Sequence, residues 1–296
     1  MKLRELGEDR LIAQWLARLR TRNDVIAGAG DDCAVVKAPR GERLLLLKTD
    51  CVVERVHFRP NDAPAAIGWK AMARTLSDFA AMSGLPQFAL VTLIAPADRQ
   101  VRWTNEIYRG LQRAADRFQV AIVGGETSAI AGPAVISVSA IGSVENDRWV
   151  SRRGGKVGDA LFVTGRLGGS IRKKHFTFIP RIAEARWLTA NFSIHAMIDL
   201  SDGLGTDLPR LAQASGVDFA INQKALPRRR GCSIEEAISD GEDYELLFAI
   251  SPDDGPSLAA KWRRKFPHLP LTEIGRFHQS STINHQPLPR GFLHFA

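Results

Sequence analysis

Apolar residues recur along this chain in two rhythms, and each predicts a different kind of element. Leu11, Ile12, Trp15, Leu16 and Leu19 return every three or four positions with arginines and polar residues between them, which predicts an amphipathic helix over 8–20. Short apolar runs at 33–36 and 44–47, bounded by Gly41 and by charges, predict two strands joined by a turn at 39–42. Over 65–83 the helical period returns, with Ile67, Ala71, Leu76, Phe79 and Ala80 on the core side and Gly84 as the stop. The alternation then continues with a strand at 88–94, a helix at 101–118 and strands at 120–123 and 134–141. After a looser stretch over 146–158 come a strand at 160–164, a helix at 182–191, a strand at 196–200 and a helix at 204–214. Strands at 218–221 and 244–250, a helix at 255–266 and a strand at 271–274 complete the series.

Strands and helices mixed in both halves predict an α/β (α+β) chain of two layered mixed domains, 1–148 and 149–296. The length of 296 residues suits that division, and 45% hydrophobic with 24% charged residues is close to globular averages, which excludes long disorder. There is no short-period repeat or low-complexity tract.

A net charge of +8 suits phosphate-bearing ligands or nucleic acid. The basic runs Arg172-Lys173-Lys174, Arg228-Arg229-Arg230 and Arg263-Arg264-Lys265 lack interleaved aromatics, however, so they read as solvated surface and nucleic acid is not an expected partner. Cys33, Cys51 and Cys232 form neither a metal-type spacing nor an even disulfide framework, which predicts reduced thiols in cytoplasm. The N-terminal stretch is charged, and no apolar run approaches the roughly 20 residues of a membrane span, so no membrane partner is expected.

The chemistry lies in carboxylates set beside glycines or hydroxyl residues at 30–32, 49–50, 77–78, 125–127, 199–203 and 241–243. Oxygen ligands of this kind suit magnesium, which keeps water and substrate phosphates in its shell. Each has a plainer reading too. Asp31 and Asp32 fit an Asx-type turn as well as a ligand pair. Asp78 follows Arg74 by four residues and so suits an i,i+4 ion pair as well as a cation. Gly124 and Gly125 fit a turn, or a backbone cradle for phosphate with Glu126 on a metal. Asp199, Ser201 and Asp202 stand at a strand-to-helix junction, where Ser201 or Asp202 caps the helix, ligates, or does both. The stock nucleotide motifs are absent.

Together the stretches GDDCA at 30–34, TDCVVERVHF at 49–58, KAMARTLSDFAAM at 70–82, VGGET at 123–127, AMIDLSDGL at 196–204 and GEDYELLF at 241–248 resemble the thiamine-monophosphate kinase family. That family belongs to the superfamily of aminoimidazole ribonucleotide synthetase and selenophosphate synthetase, and the resemblance runs in family order from near residue 25 to His294-Phe295. It implies ATP-dependent phosphorylation of thiamine monophosphate to thiamine diphosphate by direct in-line transfer with several Mg2+ ions. By motif match it implies metal ligation by Asp32, Thr49, Asp50, Asp78, Glu126, Asp199 and Asp202, ATP contacts from Ser201 and Arg152, and thiamine phosphate held by His57, Glu242 and Phe292. It also implies a homodimer whose N-terminal domains share a barrel-like interface. The alternatives are another phosphate acceptor on the same scaffold, or a catalytically weakened regulatory paralogue.

The chain departs from that pattern in five places. Lys48 stands where the family usually has a small hydroxyl residue and Arg74 where it usually has Asn; each replaces a unit of magnesium charge or points to solvent. Glu126 replaces Asp, Asp240 replaces Gly, and residues 168–174 replace a longer, helix-containing stretch, which leaves the nucleotide side of the cleft open or changes the substrate.

Overall fold

The computed structural model describes residues 5, 8–16, 22–38, 41–279 and 288–292. Helix α1 (Glu8–Leu16) leads into β1 (Val25–Ala27), β2 (Ala34–Lys37) and β3 (Arg43–Val53). Then follow α2 (Pro64–Ala81), β4 (Leu85–Ala95), α3 (Val101–Arg117), β5 (Ala121–Ala129) and β6 (Val135–Glu145). These strands make one six-stranded sheet, ordered β1-β2-β3-β6-β4-β5, in which only β4 and β5 run parallel, joined through α3.

The remaining elements are β7 (Ala160–Thr164), α4 (Ile182–Asn191), β8 (Ile194–Asp199), α5 (Leu204–Ser215), β9 (Asp218–Ile221), α6 (Ile234–Ser239), β10 (Leu246–Ile250), α7 (Gly255–Lys265) and β11 (Leu271–His278). Their five strands form an antiparallel sheet ordered β8-β10-β7-β11-β9. The apolar runs of β7 and β10 are buried along their whole length because core packs on both faces of this sheet, which is why neither alternates.

Helix α2 lies between the sheets, touching β3 and β6 on one side and β8 and α4 on the other. Fourteen of its residues, from Ile67 to Ala81, are buried, including the charged Lys70 and Asp78. The apolar stripe of α3, Ile107, Gly110, Leu111, Ala114 and Ala115, has the i, i+3, i+4 spacing of a helix with one covered face. Glycine lets the two helices meet. A β-carbon on Gly68 would lie 2.0 Å from the Ile107 carbonyl oxygen, and one on Gly110 would lie 2.0 Å from that of Ala65. Gly110→Ala is therefore expected to push α2 and α3 apart and to destabilise the fold by about 3 kcal/mol. An unchanged urea midpoint would show that the crossing can relax.

Most expected elements form, with several differences. The first helix is observed to Leu16, while residues 17–20, 39–40 of the expected turn, and His294-Phe295 lie outside the described residues. Strand β1 and helix α6 were not expected; α6 carries a readable signal, the Ser233-to-Glu236 capping box, with both reciprocal bonds formed. Strand β3 runs on through Thr49 and Asp50, so these sit within a strand and not at its edge. Gly124 and Gly125 do not make a turn either; they lie inside β5, opposite Leu90 and Val91. A β-carbon on Gly125 would fall 1.8 Å from the Val91 carbonyl oxygen, so close strand approach at the adjacent bulge requires glycine there.

One face of the six-stranded sheet is open and displays Leu47, Phe88, Leu90, Val123 and Ile141, each exposed. No helix among the described residues is long and apolar enough to cross a membrane.

Candidate active site

The inward face of β3 alternates Leu44, Leu46, Lys48, Asp50 and Val52, so the strand period carries two charges into the layer that α2 covers. On α2, Lys70, Arg74 and Asp78 are spaced by four residues and form one charged stripe facing the same layer. Asp199 ends β8, and Asp32 comes from the turn before β2.

Carboxylate oxygens of Asp32, Asp78 and Asp199 lie within 4.8 Å of one another, with residue exposures of 2%, 6% and 3%. Lys48 Nζ donates to Asp78 at 2.7 Å, Arg74 Nε to Asp50 Oδ2 at 2.7 Å and Arg152 Nη2 to Asp32 Oδ1 at 2.6 Å. Ser77 Oγ donates to Asp199 at 2.5 Å. Four carboxylates thus face three cationic groups.

The imbalance shows in their protonation. Burial pushes the Asp78 carboxyl well above the usual range despite Lys48, and burial together with the charge of Asp32 lifts Asp199 to about 7. Asp50 is half-buried, which raises its pKa, but Arg74 and Lys48 outweigh that and hold it below the ordinary value. An all-oxygen donor set that is crowded, buried and short of positive charge fits a hard divalent cation such as Mg2+.

A cavity of about 100 Å³ adjoins this cluster and shares Arg74 with it. Its walls include His57, Ser201, Asp202, Glu242, Tyr244 and Phe292. Behind it Lys70, with no exposed surface, donates to the His57 carbonyl at 2.6 Å, approaches His175 Nδ1 at 2.7 Å and pairs with Glu242 at 2.5 Å. Burial pushes Glu242 up, but the bond to His175 and the Lys70 ammonium prevail and hold its carboxyl at about 2. Glu242 and Tyr244 adopt left-handed φ of 53° and 51°, which side-chain-bearing residues keep only where the surroundings force it. That loop is tied down by 168–170: Gly169 N–H donates to Asp240 at 2.7 Å, Gly168 N–H to Asp243 at 2.9 Å and Ser170 Oγ to the Glu242 carbonyl at 2.6 Å.

The structure sorts the residues singled out in the sequence into three places. Asp32, Asp50, Asp78, Asp199 and Arg152 come together in the cluster. His57, Ser201, Asp202, Glu242 and Phe292 line the cavity, where the His57 and Phe292 ring centroids are 6.5 Å apart. Asp202 is held by Arg210. The third set stays outside. Thr49 faces the open side of the sheet, 3.0 Å from Ser139 Oγ, because odd positions of β3 point away from α2. Gly124, Gly125 and exposed Glu126 sit on the edge strand β5, three strand spacings from β3, or roughly 14 Å. Asp31 also stays apart from the three converging carboxylates, its Oδ1 accepting the Arg152 N–H at 2.7 Å.

Several plainer readings are corrected as well. Arg74 and Asp78 do not pair with each other; Asp50 and Lys48 take them, because both cross to β3. Neither Lys48 nor Arg74 points to solvent. Neither Ser201 nor Asp202 caps α5, whose N-cap is Gly203; instead Asp207 Oδ2 accepts the Asp202 N–H at 2.9 Å. Asp240 serves the 168–170 loop, which leads into two single-turn 3-10 helices, Ser170–Arg172 and Lys174–Phe176, and Ile171 of the first lines the cavity. Lys70 and His175 were missed, although a lysine at helical spacing inside an apolar face was a legible signal for Lys70.

The family model described as AIR synthase related protein, N-terminal domain, matches residues 30–144. A thiamine-monophosphate kinase from Rhodopirellula baltica is 34% identical over 313 residues, covering 97% of each chain. Another, from Aquifex aeolicus, is 34% identical over 326 residues and covers 100% of each. The solved structure of AaThiL complexed with AMPPCP and TMP superposes with a TM-score of 0.82 at 33% identity, over 97% of this chain and 98% of that one. Likeness of this extent, carried by both sheets and by the motifs that build the acidic cluster, places the chain in the thiamine-monophosphate kinase family of enzymes.

Proposed function

We propose that this protein transfers the γ-phosphoryl group of ATP to the phosphate of thiamine monophosphate, releasing ADP and thiamine diphosphate. The observation that carries this reading is the contact, through Arg74, between a buried cluster of carboxylates and a cavity walled by His57, Glu242 and Phe292. A relative at 33% identity that is complexed with AMPPCP and TMP supports the pair of substrates.

In this reading Asp32, Asp50, Asp78 and Asp199 hold Mg2+, with Asp202 beside them. Bound there, the metal neutralises phosphate charge and aligns the two reacting groups. Arg152 and Ser201 contact the nucleotide phosphates, and the Phe292 ring offers a face to a cationic heterocycle. An acceptor phosphate oxygen attacks the γ-phosphorus in line as the bond to the β-phosphate oxygen breaks and ADP leaves. The acceptor is anionic at neutral pH, so no side chain has to remove a proton. What the residues supply is position and charge.

The two sequence halves, 1–148 and 149–296, act here as domains that close on the cleft, and two copies form a cytoplasmic homodimer through the open sheet face. Exposed Leu47, Phe88, Leu90, Val123 and Ile141 support that interface, since a patch of this kind is normally covered.

Purified protein supplied with ATP, Mg2+ and thiamine monophosphate is expected to yield ADP and thiamine diphosphate in equal amounts, separated by chromatography. Turnover only with another phosphate acceptor, or nucleotide binding with no turnover at all, would reject the assignment.

A further inference from the structure

We propose that Lys48 is a resident cation standing where the carboxylate cluster would otherwise hold a divalent ion, so that this protein binds one metal ion fewer than the same cage with a small residue at that position. The inference rests on the divalent-cation reading of the cluster.

Lys48 lies on the inward face of β3 between Leu46 and Asp50, and its ammonium reaches across to Asp78 Oδ1 at 2.7 Å. Its side chain is 24% exposed, and Asp78 beside it only 9%, so this is not a pair formed in open solvent. Asp78 is one of the three carboxylates whose oxygens converge within 4.8 Å. A metal bound on the Lys48 side of Asp78 would have to displace the ammonium or sit beside it in a poorly screened site, where two cations repel strongly.

The other charges restrict the remaining room. Arg74 occupies Asp50 at 2.7 Å, and Arg152 occupies Asp32 at 2.6 Å. Among the described residues, the hydrogen bond to the Asp199 carboxylate comes from a neutral donor, the Ser77 hydroxyl. The side of the cluster nearest Asp199 therefore keeps the strongest demand for a metal, whereas the Lys48 side has its positive charge built in.

Counting bound Mn2+ tests this without relying on turnover. Electron paramagnetic resonance titration of the full chain with Mn2+ alone is expected to give one more tight site in Lys48→Ser than in wild type. Lys48→Arg, which keeps the charge, is expected to match wild type. An equal count and equal affinity in folded Lys48→Ser would overturn the proposal, as would a gain of a site in Lys48→Arg. Should Lys48→Ser fail to fold, anomalous diffraction from wild-type crystals soaked in Mn2+ decides the matter. A Mn2+ peak ligating Asp78 Oδ1 with the Lys48 side chain swung away overturns the proposal, and a peak confined to the Asp199 side supports it. Absence of tight Mn2+ from every variant would sink the metal reading itself. The normal extra site in Lys48→Ser with no thiamine phosphate turnover would instead count only against the proposed reaction.

Discussion

Asp199→Asn is expected to lower phosphoryl-transfer turnover by about 10²–10³-fold while raising the melting temperature of the metal-free protein at alkaline pH. Both effects follow from one carboxyl group. In the proposed reaction it would hold the metal charge that aligns the phosphates, and an amide would not replace it. In the metal-free protein the same charge is buried among like charges, and burial first, then Asp32, raises its pKa from 3.8 to about 7.

The sign of the pH effect follows from that direction. A carboxyl with a raised folded-state pKa favours the fold when protonated, so its contribution is complete below about pH 4 and is lost as pH rises through about 7. A shift of that size corresponds to a penalty on the order of 4 kcal/mol in the ionised state. Wild-type protein in chelator is thus expected to melt at lower temperature at about pH 8 than at about pH 6, and Asp199→Asn to flatten that slope. Asn preserves the size of the side chain and an acceptor for the Ser77 hydroxyl. Thermal unfolding at the two pH values together with steady-state ADP release is the check. Near-normal turnover in the variant would remove Asp199 from the site, and a wild-type melting temperature that climbs with pH would contradict the electrostatic account.

Lys70→Met is expected to destabilise the protein by about 3–5 kcal/mol, because it removes the ammonium partner of the largely buried Glu242 carboxylate. In melting temperature this is a fall of roughly 5–8 °C for a chain of this size. Lys70 is fully buried, and three partners from distant parts of the chain converge on its ammonium: the His57 carbonyl, His175 and Glu242. Losing the first of these also frees the backbone of a cavity residue, so weaker retention of the acceptor should accompany the lower stability. The double variant Lys70→Met/Glu242→Leu is expected to recover at least half of the lost stability, since two apolar side chains leave no charge unpaired. It should not recover acceptor binding. If the two substitutions simply add, the ion pair is not what holds this loop.

Regular elements with a strong period were the most legible part of the fold. β7, α4 and β9 span the stretches expected from their residues, because local periodicity and flanking breakers suffice to define them. β5 was harder to read, since Gly124 and Gly125 look like turn residues; only the close passage of β4 explains glycines inside a strand. β3 was underestimated for a related reason. Its apolar run stops at Leu47, but the strand continues because Lys48 and Asp50 find partners on α2 that excuse their inward position.

Within the candidate site, the residue types were legible and their partnerships were not. Acidic and glycine-rich segments, in their order, were enough to pick out Asp32, Asp50, Asp78 and Asp199, and it took the family resemblance to connect His57, Glu242 and Phe292 with a ligand. Tertiary structure decided that Thr49 and Glu126 stand apart from that cluster, that Lys48 and Arg74 turn inward to neutralise it, and that Lys70 braces the neighbouring cavity. Helical and strand periods act over a few residues, whereas Lys48 and Asp78 are 30 positions apart, Arg152 and Asp32 120, and Ser77 and Asp199 122. Electrostatic pairing depends on distance through space, and that distance exists only once α2 is packed between the two sheets.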